Sequence, residues 1–168
     1  MTISFPLTVN FTVTDAYTTD EVVSENGVVE TIRRLSVTLQ ARRDTEINLS
    51  NGQPMASTLV HLSLFPGKKR ATDLAPELDE STVGFLIQIS ESNGEPFIHG
   101  SIAWPEDTLP YYILEKNSSR SVRLSLASVT IPRDGDPYFS WQQGRENLIS
   151  IASFSLSLHV SNEAQQDG

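Results

Sequence analysis

A chain of 168 residues, 38% of them hydrophobic, has the length of one domain and enough apolar side chain to build a core. It has no cysteine, which excludes disulfides, thiolate metal centres and cysteine nucleophiles. Its formal charge of −9 sets up a field that repels phosphate backbones and anionic lipids, so neither nucleic acid nor membrane is expected as a partner. The opening MTISFPLTVNF lacks the basic and apolar stretches of a secretory signal, and the expected location is cytoplasmic.

The first element reads as a strand. Ile3, Phe5, Leu7, Val9, Phe11 and Val13 alternate with polar residues, the period of a sheet with one buried face. Pro6 cannot donate to a ladder and argues for a sheet edge there. Asn26-Gly27, between two valine pairs, is a type I′ hairpin signal. The returning strand puts Leu35, Val37, Leu39 and Ala41 inward, with Ile32 out of phase, which predicts a bulge near Arg33-Arg34.

A short strand over Glu46–Leu49 is expected next, closed by Ser50-Asn51-Gly52. The strand over Thr58–Phe65 points Val60, Leu62 and Leu64 inward and His61 and Ser63 outward. Residues 65–84 form a long polar connection, basic at its start and acidic at its end, of the kind that is either functional or disordered. Phe85, Ile87 and Ile89 predict the next strand. Asn93-Gly94 then turns the chain into Ile98, Gly100, Ile102 and Trp104.

Prolines and aromatics break the pattern at IAWPEDTLPYYILEKNSS, residues 102–119. Leu109 before Pro110 suits a cap, which predicts about two helical turns over Pro110–Lys116 that plug one end of the fold. The last two long strands change phase between Leu126 and Val129 and between Ile151 and Phe154, and each change reads as a bulge. The tail from residue 161 has almost nothing to bury and is expected to fray, leaving residues 1–160 as one domain. Eight or nine strands and one short helix near 105–117 predict an all-β fold, an antiparallel β-sandwich or a flattened barrel.

Chemistry is harder to find. No G-x-S-x-G elbow presents a serine. His61, His99 and His159 lack metal-ligand spacing and read as outward strand residues. Asp134-Gly-Asp-Pro offers oxygen ligands for calcium, but the same residues make an ordinary turn. Arg33, Arg34, Arg42, Arg43 and Lys68-Lys69-Arg70 read as ion-pairing partners for the acidic surplus. No catalytic residue, cofactor or metal is expected. The sequence reads instead as a non-enzymatic protein-interaction module that works through sheet edges and an aromatic-rich end, in a homo-oligomer. The candidate contacts are Trp104, Tyr111, Tyr112, Tyr138 and Trp141, whose polar-tipped rings suit interfaces. A carbohydrate-binding module, stacking sugars on those same rings, is the alternative.

Overall fold

A computed structural model describes residues 3–43, 45, 55–75, 78, 80–90, 96–131, 138–139 and 148–159. Its strands are β1 (Ile3–Glu25), β2 (Val28–Ala41), β3 (Leu59–Pro66), β4 (Gly84–Ser90), β5 (Pro96–Trp104), β6 (Ser119–Ile131), β7 (Tyr138–Phe139) and β8 (Leu148–His159). The protein is all-β. Its strands hydrogen-bond in the order β1-β2-β3-β5-β4-β8-β6-β7, and a further pairing of β1 with β6 brings the sheet back on itself. The expected antiparallel arrangement is corrected in one place: β3 and β5 run parallel, so the sheet is mixed.

Two strands turn the corners. The start of β1 pairs with β6 from Ile3 to Thr12, and its remainder pairs with β2 from Phe11 to Glu25. Strand β8 does the same, pairing with β4 over Leu148–Ile151 and with β6 over Ile151–His159. Each handover carries a bulge, between Val13 and Asp15 in β1 and at the Leu126↔Ile151 step of β8. An extra residue bends a strand and raises its twist, which a sheet needs in order to turn back on itself. The phase changes read in the last two strands are therefore real, the first of them where Phe5↔Val129 passes to Leu7↔Leu126. The bulge expected at Arg33-Arg34 is absent, because that ladder runs unbroken to the hairpin turn. Ile32 is out of phase simply because it faces outward, beyond the core.

The inward residues make one large cluster. Phe11, Leu35, Leu39, Leu62, Leu64, Leu86, Ile98 and Ile102 are all buried in it. The strand expected at Phe85, Ile87 and Ile89 is β4. Leu86 is its core residue, while Phe85 faces out under the connection from β3. With apolar residues on both faces of FLIQI, alternation could not choose between them.

That connection is structural. Strand β4 lies beyond β5 from β3, so the chain must step across the lane of β5. It does so through a 3-10 turn at Ala71–Asp73, burying Ala71, Ala75 and Leu78 against Phe85. The segment is anchored at both ends, where the Gly67 amide donates to the Glu106 carbonyl (3.0 Å) and the Ala103 amide donates to the Val83 carbonyl (2.8 Å).

The two-turn helix shrinks to a single 3-10 turn, Tyr111–Leu114. Pro110 precedes it with ψ 73°, outside the helical region, and Glu115 is already extended, so there is no room for a second turn. The turn nonetheless closes one end of the core. Leu109 and Ile113 are buried in the main cluster, and Leu114 packs against it. The buried Arg120 guanidinium donates to the Ile113 carbonyl and fixes the turn to β6. The expected strand at 46–49, the turns at Asn51-Gly52 and Asn93-Gly94, the Asp134 turn and the C-terminal tail lie outside the described residues.

Candidate functional site

The most distinctive feature is the far half of the β1–β2 hairpin. Its last buried side chains are Ala16 on β1 and Leu35 on β2. Past the Thr18↔Leu35 pair the ladder continues for seven more pairs, from Thr19↔Arg34 to Glu25↔Val28, and among the described residues no third strand pairs with it. At about 3.3 Å per residue the arm extends roughly 23 Å beyond the core. Asn26 and Gly27 close it with φ of 52° and 80°, the left-handed pair a type I′ turn requires.

The arm is apolar where water should not favour it. Val22, Val28 and Val29 are 69%, 64% and 69% exposed. A two-stranded ribbon is at best marginally stable in water unless something covers a face. Among the described residues no strand pairs with either edge of the arm, and such edges offer backbone groups for pairing.

Two cross-strand ion pairs brace its base. Arg33 holds Asp20 through Nε (2.8 Å) and Nη2 (3.1 Å), and Arg34 Nη1 lies 3.5 Å from Glu21. The hydrogen bonds from Arg33 hold the Asp20 carboxyl below its usual range, and the Arg33 pKa is raised in return, first by that contact. Tyr111 lies close enough to Arg33 to help raise its pKa, so the 3-10 turn stands beside the root of the arm. Towards the tip no basic residue follows, and Glu25 and Glu30 leave that end acidic. At the other end of the same hairpin, Thr12, Thr14, Gln40, Arg42 and Arg43 line an open groove of about 360 Å³. One hairpin thus carries an acidic end and a basic end.

The aromatic candidates divide. Trp104 is half-buried, packed edge-on against Phe154 at 6.4 Å, and its Nε1 donates to the Thr108 carbonyl at 2.9 Å. Tyr111 and Tyr112 are exposed. Tyr138 contributes its backbone to β7 opposite Thr130, and Trp141 lies outside the described residues. The structure therefore brings Tyr111 to the arm and turns Trp104 towards the core.

Sequence reading overlooked the arm. Its signal was present in Val22-Val23 and Val28-Val29, since adjacent valines put one apolar side chain on each face and a half-buried strand has no use for that. Of the histidines, His61 and His99 stand together and His159 is exposed at the end of β8 opposite Ser119. Among the described residues no group of three or more His, Cys, Asp or Glu side chains is placed to hold a metal ion. No helix among them is long and apolar enough to cross a membrane. No protein-family model, curated protein or solved structure matches the chain, so its fold and surfaces carry the functional reading.

Proposed function

We propose that this protein is a non-enzymatic interaction module that assembles with further copies of itself through the β1–β2 arm. The carrying observation is the arm, a ladder of seven pairs past the core with three valines about two-thirds exposed. Charge complementarity supports a second copy as the occupant. The tip bears Glu25 and Glu30, and the groove at the foot of the same hairpin bears Arg42 and Arg43. The valines would supply the area, at roughly 1.5–3 kcal/mol for each side chain fully buried. Opposite charges would set register and encounter. Tip and groove are different surfaces, so one chain offers both halves of the contact.

Light scattering on the purified chain tests this. The expected mass is a multiple of the monomer at micromolar concentration, reverting to the monomer when residues 19–33 are shortened to a tight Asn-Gly turn. A monomeric mass for the full chain refutes self-assembly, and an unchanged oligomer after shortening removes the arm from the contact.

A further inference from the structure

At the base of the arm, on the outward face of β2, β3 and β5, lies a second groove of about 330 Å³. Its polar lining includes Arg34, Ser36, Thr38, His61, Ser63 and His99. Each is placed by the alternation that sends its neighbours inward: Leu35, Val37, Leu62 and Ile98 are all core. The register then aligns them across three strands, with Thr38 opposite His61, His61 opposite His99 and Ser36 opposite Ser63. Thr38 Oγ1 lies 3.4 Å from His61 Nδ1, which ties the first ring to β2.

We infer that this groove is a binding site for a small-molecule oxyanion, a phosphate or carboxylate group held among Arg34, His61, His99 and the surrounding hydroxyls. Arg34 is the principal cation. Its guanidinium sits over the Phe65 ring at 5.7 Å, and Nη1 reaches Glu21 at the rim. Its Nε is enclosed and has no hydrogen-bond partner. An enclosed donor without an acceptor is costly, and an oxyanion that draws the guanidinium into the groove would relieve it. Serine and threonine hydroxyls donate to the remaining oxygens. Among the described residues, His61 on β3, Arg34 on β2 and Tyr17 on β1 share the groove with His99, Glu21 stands against Arg34, and Ile87 flanks His99 on β4. Burial, then the charges of His61 and Arg34, lower the His99 pKa. An anion in the groove would offset the repulsion from His61 and Arg34.

The test follows the His61 and His99 ring resonances by NMR as inorganic phosphate or citrate is added, at ionic strength held constant with sodium chloride. Both rings are expected to shift saturably while His159 stays fixed. Binding should tighten as pH falls and His99, whose pKa is lowered, gains its proton. Arg34→Gln should weaken it about tenfold, and His99→Gln serves the same purpose if the first variant does not fold. A response to only one anion supports the site and names the group it prefers. Rings unmoved by both anions, a response equal to that of sodium chloride alone, or an unchanged midpoint in the variants would overturn the assignment.

Discussion

Arg33 and Asp20 face each other across the hairpin in a two-point contact, Nε to Oδ1 at 2.8 Å and Nη2 to Oδ2 at 3.1 Å. The pair lies just past the last buried residue, on the core-side face of the arm, with Tyr111 beside it. It bridges the compact body and the projecting ribbon. Both partners are open to solvent, so its value lies in geometry more than in energy.

The Asp20 carboxyl should therefore titrate below its usual value of 3.8 when followed by carbonyl NMR. Because the folded pKa is depressed, its contribution is complete above the unfolded value and is lost as pH falls through the folded one. Arg33→Gln should return Asp20 to the ordinary range and speed amide exchange in residues 19–33. An unshifted titration in the parent chain would mean that the pair does not persist in solution.

His99 responds to acid in the same direction, in a higher pH window. Its pKa is lowered in the folded state, chiefly by burial, so the unfolded chain takes up protons first as pH drops through about 6.5. Stability should decline from there and level off below the folded pKa. His99→Gln should flatten that part of the curve of denaturation midpoint against pH. A slope unaltered by the substitution would assign it to another group.

Gly100 is fixed by packing. A Cβ there would lie 2.6 Å from both Leu86 Cδ2 and the Phe85 carbonyl oxygen and 2.9 Å from Leu62 Cδ1. Gly100→Ala should cost about 1–3 kcal/mol in a urea melt, the range for overfilling a packed core. Neutral behaviour would show that β4 and β5 separate more easily than their ladder suggests.

The crossing segment gives a further check. Leu78→Ala should expose the connection between β3 and β4 to limited proteolysis while the parent chain resists there, because Leu78, Ala71 and Ala75 share the cover over Phe85. Early cleavage of the parent chain in this segment would show that the cover is loose.

Much of this architecture was legible because period two is a local property. The inward sets Leu35–Val37–Leu39 and Val60–Leu62–Leu64 needed only their own neighbours. What stayed hidden depends on which strands meet. Nothing in LVHLSL or FIHGSI announces that they lie parallel, so the juxtaposition of His61 and His99 could not be read. In β4 the apolar residues occupy both faces, and only the crossing segment over Phe85 explains why. That segment carried its own sign, with Ala71, Ala75 and Leu78 at spacings of four and three in a stretch that otherwise looks polar. The aromatic stretch is legible as a plug from Leu109 and Ile113, whereas the arm beside it has the same alternating look as ordinary sheet.

Self-assembly through the arm is tested most directly by exchanging charges between its two ends. One variant carries Glu25→Arg and Glu30→Arg, the other Arg42→Glu and Arg43→Glu. Alone, each sets like charges against each other at the contact and should weigh as a monomer by light scattering. Mixed in equal amounts, the two should associate, because the arginine tip of the second variant's partner meets a glutamate-lined groove. Failure of the mixture to associate, or oligomers of undiminished mass from either variant alone, would contradict a contact between the arm of one copy and the groove of the next.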